Sequence, residues 1–187
     1  MKSNIAILSI LVWVTASCSK GTHEGGTVRA EGPPPVALPS NEANRLPAEV
    51  ETLLREASTM ELISIDPNEL PPDAAAPAQE TFHGYKVLGR APLADAGQRK
   101  TLAELVLQGI RESDGRQEKC FEPRHGIRVE QDARVLELVI CYECLSIKAF
   151  GNVFGAGHGA ETVLTSRAVE PAVTSAFNKV GLTIAAK

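Results

Sequence analysis

The stretch VLELVICYEC, Val135 to Cys144, constrains the fold more than any other part of the chain. Strand side chains alternate between faces, and Val139, Ile140, Cys141 and Tyr142 would present apolar groups on both. Such a strand belongs inside a sheet, with further structure packed on each side. Just upstream, HGIRVEQDAR alternates Ile127 and Val129 with polar residues and then turns at about Gln131 to Ala133, so the two segments read as a hairpin. With the turn centred on Asp132, Val129 faces Val135, Ile127 faces Glu137 and Cys120 faces Cys144. A slip of one residue would reverse the faces.

The flanking segments supply the covering layers. In LPAEVETLLREAS, Leu46, Val50, Leu53, Leu54 and Ala57 recur at helical spacing and Pro47 suits a first turn, which predicts a helix over about 47–58. Met60 to Ile65 reads as a strand stopped by Asp66-Pro67, and Pro71 to Pro77 as a surface loop. Phe82 to Leu88 reads as a second strand, weakened by Gly84. Leu102, Leu105, Val106 and Ile110 mark a second amphipathic helix, with Asp95 as its N-cap. Leu145, Ile147 and Phe150 continue in extended chain, and Val169, Val173, Ala176, Phe177 and Val180 support a last helix over about 166–180. The expected class is α+β, a small antiparallel sheet with about three helices against it.

The chain opens MKSNIAILSILVWVTASC, in which an apolar run from Ile5 to Val14 follows one lysine. That run is about half the ~20 residues that span a bilayer, so it reads as a signal peptide. Thr15-Ala16-Ser17-Cys18 resembles the lipobox of bacterial lipoproteins, although Thr15 stands where that pattern carries an aliphatic residue. The resemblance implies cleavage before Cys18, lipidation of Cys18 with fatty acyl chains such as palmitate, and, because Ser19 rather than Asp follows, an outer-membrane anchor facing the periplasm. The expected organisation is a signal peptide over 1–17, a lipid-anchored flexible tether over 18–44 and one domain over 45–187. The tether is rich in Gly, Pro and charge, with too little apolar area to offset the cost of ordering it. A net charge of −4 gives no general attraction for nucleic acid. The partners expected are instead the membrane, through the lipid, and an envelope protein or small ligand.

After lipidation three cysteines remain, Cys120, Cys141 and Cys144, in a compartment where disulfides persist. On a continuous strand Cys141 and Cys144 point to opposite faces about 10 Å apart, beyond disulfide reach. The expected bridge is therefore Cys120 to Cys144, with Cys141 in the core. Two alternatives stand beside it. Cys120, His125, Cys141 and Cys144 have the residue types of a Cys3His zinc site, provided the chain turns at Tyr142-Glu143. The same turn would permit a redox pair.

Arg124, His125 and Arg128 form a candidate anion or ligand pocket, since arginine offers a planar fork and histidine a donor. On a regular strand His125 lies on the face opposite both arginines, so a shared pocket requires a bend at Pro123 or Gly126. The CF-x-PRH-x-IR segment formed by Cys120, Phe121, Pro123, Arg124, His125, Ile127 and Arg128, followed by a strand ending in Cys141 and Cys144, resembles a group of uncharacterised predicted lipoproteins of Gram-negative bacteria. That resemblance implies envelope export and brings no activity with it.

No GxSxG, HExxH or nucleotide-binding glycine pattern occurs, the glycine-rich GNVFGAGHGAE included. His158 with Glu161 has the residue types of an acid and base pair, but a histidine in a glycine loop reads more simply as solvated, as do His23 and His83. The expectation is a non-catalytic protein- or ligand-binding module with no resident cofactor, against the alternative of a zinc or thiol-redox protein.

Overall fold

The computed structural model describes residues 44–70, 80–155, 157 and 159–186, all within the compact unit Pro39–Lys187. The signal peptide, Cys18, the tether with His23, the proline loop from Pro71 to Pro77 and His158 lie outside the described residues.

Seven strands form one antiparallel sheet: β1 (Thr59–Glu69), β2 (Thr81–Phe82), β3 (Tyr85–Pro92), β4 (His125–Gln131), β5 (Arg134–Cys141), β6 (Ser146–Phe150) and β7 (Glu161–Leu164). They run in the order β2-β3-β1-β4-β5-β6-β7. Three helices, α1 (Ala48–Glu56), α2 (Ala96–Arg111) and α3 (Glu170–Lys179), complete an α+β fold. Their apolar stripes meet one face of the sheet in a core that includes Val50, Leu53, Leu102, Val106, Val173 and Phe177 against Leu62, Ile127, Leu138 and Ile140. Asp95 caps α2 as the sequence predicts, its carboxylate accepting the Gln98 N–H at 2.7 Å. Leu105 is the exception on that helix, only partly buried while Leu102, Val106 and Ile110 are enclosed.

The other face is covered by the chain's own hairpin. Between β2 and β3 the backbone turns at His83 and Gly84, both with positive φ (49° and 87°), where the sequence suggested one strand interrupted by a glycine. The tip reaches back across the sheet. Phe82 lies so close over Gly126 of β4 that a Cβ there would come within 2.9 Å of the ring, so glycine is required by this approach. His83 stacks on Phe150 of β6 and bonds Glu137 of β5. Ile63, Ile65, Phe82, Tyr85 and Val139 form the resulting second core. Thus Val139 and Ile140 enter different cores, as their adjacency on a doubly covered strand requires.

Two local expectations are corrected. Strand β1 continues past Asp66-Pro67, because its register against β3 shifts between Ile65 and Glu69 and no regular ladder bond is asked of the proline there. The β4–β5 turn has two central residues, Asp132 and Ala133 (φ 50° and 63°), rather than one. Ile127 therefore opposes Leu138 and Val129 opposes Leu136, which puts apolar residues against apolar ones on the helix face.

Candidate functional site

The β5–β6 connection decides the fate of the cysteines. Strand β5 ends at Cys141, and Tyr142 to Leu145 form a tight turn closed by Leu145 at φ 56°. The turn brings the Cα atoms of Cys141 and Cys144 to 5.2 Å, and these two residues form the disulfide. The expected Cys120–Cys144 bridge is thereby replaced. The physical reason is that the strand periodicity assumed to run through Cys144 stops at Cys141. The bridged sulfurs belong to residues 1% and 0% exposed, whereas Cys120 is an exposed free thiol.

Cys120 has nevertheless not moved far. Its Sγ lies 4.0 Å from Cys144 Sγ, because residues 118–122 run along the turn. The Glu118 N–H donates to the Cys144 carbonyl at 3.2 Å, and the Glu122 N–H donates to Cys144 Sγ at 3.3 Å. Within the turn the Cys144 N–H donates to Cys141 Sγ at 3.1 Å. Each bridged sulfur thus faces a backbone donor. Sequence register pointed to Cys120 and Cys144 as neighbours but to the wrong covalent pair.

The zinc constellation does not assemble. Among the described residues no group of three or more Cys, His, Asp or Glu side chains is arranged to hold a metal. Cys141 and Cys144 are joined, and His125 is turned onto the helix face, where its Nε2 lies 2.9 Å from Thr174 Oγ1 and its ring meets Phe177 edge-on.

Arg124, His125 and Arg128 do not form a common pocket either. Buried Arg124 donates to Glu143 (3.2 Å), to the Glu122 carbonyl (3.2 Å) and to the Ala186 carbonyl (3.3 Å), tying the cysteine turn to the C-terminal segment. Arg128, on the face opposite His125, pairs with Glu130 and Glu137. Glu137 also accepts from His83 at 2.9 Å. Those bonds hold the Glu137 carboxyl below its ordinary range, the His83 hydrogen bond first and the Arg128 charge after it, against the opposing effect of burial. Burial also pushes the Tyr85 phenol up to about 12, and raises that of Tyr142, whose hydroxyl has no hydrogen-bond partner among the described residues.

A second feature escaped sequence reasoning altogether. Between α2 and α3 lies a groove of about 610 Å³ lined by Leu93, Leu102, Leu105 and Ala176, with Asp95, Thr101, Ser175 and Lys179 among its polar residues. The partial exposure of Leu105 on an otherwise buried stripe marks its wall, and spacing alone does not set Leu105 apart from Leu102, Val106 and Ile110. Asp95 is spent as the cap of α2, and Lys179 projects from the last turn of α3. No helix among the described residues is long and apolar enough to cross a membrane. No family model matches the chain, and no curated protein or solved structure is significantly similar to it.

Proposed function

We propose that this chain is a cell-envelope lipoprotein, anchored through Cys18, whose domain is a non-catalytic module that binds a small amphipathic anion in the α2–α3 groove. The groove carries the reading. Its volume, about 610 Å³, lies in the range of small-molecule sites, its walls combine the aliphatic Leu93, Leu102, Leu105, Ala172 and Ala176 with polar residues, and Lys179 places a positive charge beside them. A carboxylate with an alkyl tail of medium length is the complementary chemistry: the tail removes the partly exposed Leu105 and Ala176 from water while the head meets Lys179. The disulfide supports export, since such bonds persist in oxidising compartments and are rare in the cytosol. The engagement of Arg124, His125 and Arg128 with other protein groups supports a structural use of that segment.

Dodecanoate titrated into the protein by calorimetry tests the groove. Saturable binding is expected, weakened about tenfold or more by Lys179→Glu and lost in Ala176→Trp, which fills the floor. Absence of binding at about 1 mM dodecanoate, or unchanged binding in both variants, overturns the ligand reading. The anchor is tested separately by metabolic labelling with an alkynyl palmitate. Wild type should incorporate label and Cys18→Ser should not; equal labelling of the two removes Cys18 as the anchor.

A further inference from the structure

The three cysteines of the domain divide into two buried, bridged sulfurs and one exposed thiol beside them. A packing role for the turn would need only the bridge. The placement of Cys120, 4.0 Å from Cys144 Sγ, is the observation left over, because a thiol at that distance from a disulfide sulfur is positioned for exchange.

We propose that Cys120 is the solvent-facing member of a three-cysteine thiol–disulfide relay. In the first step the Cys120 thiolate attacks Cys144 Sγ. The Cys120–Cys144 bond forms, the Cys141–Cys144 bond breaks, and its electron pair leaves on Cys141 Sγ, which takes up the proton that Cys120 gave to solvent. One disulfide and one thiol are present before and after, so the step consumes no oxidant or reductant. The leaving sulfur is the one that already accepts the Cys144 backbone N–H at 3.1 Å, a donor placed where thiolate charge develops.

Exchange carries the bridge from the interior to the surface. In the Cys141–Cys144 form both sulfurs are enclosed, whereas the Cys120–Cys144 form has one sulfur on an exposed residue. A low-molecular-weight thiol can then attack Cys120 Sγ to give a mixed disulfide there and a Cys144 thiol. A second such thiol releases the symmetrical disulfide and leaves three protein thiols, two external thiols having been oxidised for one protein disulfide reduced. Run backwards, the same steps oxidise the protein. The substrate class is therefore small thiols and their disulfides. Nothing in the relay uses the α2–α3 groove, so binding in the groove stays non-catalytic, the thiol exchange is a separate property of the cysteine turn, and neither proposal depends on the other.

Tryptic cleavage separates the two bridge isomers. Trypsin releases Cys120 within CFEPR, residues 120–124, while Cys141 and Cys144 share VLELVICYECLSIK, residues 135–148. The oxidised full-length protein is held native at pH 8 without reductant, quenched in acid, alkylated and digested. A disulfide-linked pair of these peptides, with alkylated Cys141, is the expected product beside the unlinked pair. Reduced glutathione then serves as the probe for access. Reduction of the bridge should be about tenfold or more slower in Cys120→Ser than in wild type, since the remaining sulfurs are buried. Cys141→Ser should instead hold the Cys120–Cys144 bridge in native protein. Near-UV circular dichroism checks that each variant is folded. The proposal is overturned if no linked peptide forms, or if Cys120→Ser is reduced at the wild-type rate.

Discussion

The two faces of the sheet are built on different principles. The helix face is a broad aliphatic core in which α1, α2 and α3 each contribute a regular stripe, and Phe177 is its largest fully enclosed side chain. The hairpin face is small and aromatic, and it is closed by the His83–Glu137–Arg128 network. Stability on the first face comes from area removed from water, which is tolerant of detail. On the second it depends on one hairpin tip landing on Gly126, Phe150 and Glu137, so geometry counts for more than area. The difference suggests that the helix face holds the domain together while the hairpin face can open without global unfolding.

Truncating one aromatic ring on each face gives the largest expected contrast. Phe177→Ala should cost about 3–5 kcal/mol in urea denaturation, because a fully enclosed ring leaves a cavity that the surrounding core fills only in part. Phe82→Ala should cost about 3 kcal/mol at most, since the hairpin can settle onto Gly126, and its effect on hydrogen exchange should concentrate in residues 81–87. Equal global destabilisation, with protection lost throughout the sheet in both variants, would erase the distinction between the faces.

Acidification should act on the hairpin face through Glu137. The Glu137 carboxyl is held below its ordinary value of about 4.5, so the charged form is favoured by folding. Its contribution is fully present above the unfolded value and is lost as the pH falls through the lower folded value. Glu137→Gln should remove about 1–2 kcal/mol at neutral pH and flatten the stability profile below about pH 4.5 relative to wild type. An acid limb of unchanged steepness in Glu137→Gln would show that the network does not supply it.

The smallest effect is a gain. Ala133 occupies the second central position of the β4–β5 turn at φ 63° and is exposed, so Ala133→Gly relieves a left-handed alanine without removing any packing. An increase of about 1 kcal/mol is expected in the same denaturation assay. A decrease would show that the turn is not held in this conformation in solution.

Much of the helix face was legible because each amphipathic stripe is a local pattern. Leu102, Val106 and Ile110 declare their face through spacing, and Asp95 declares its cap through its place before the run. The hairpin face was far less so. Phe82 and Tyr85 read as one strand, since nothing in Phe82-His83-Gly84-Tyr85 says that the chain must reverse between them. Strand β7 was likewise not read from the sequence, its four residues being too few to show a period before they pair with β6. At the candidate sites the sequence singled out all three domain cysteines but mispaired them, and it indicated the groove hardly at all.

By itself, then, the sequence determined the class of fold, the doubly covered central strand and the cysteines around which chemistry can be built. Those follow from periodicity and residue type, which act within a few turns or strand repeats. Only the tertiary structure decided that β5 stops at Cys141, that Cys144 turns back to bond it, and that Cys120 is left as the neighbouring thiol. The reason is that sulfur pairing depends on where a strand ends. Here that end is set by the left-handed turn at Leu145 and by the pairing of Cys141 with Ser146, neither of which the spacing of two cysteines can encode.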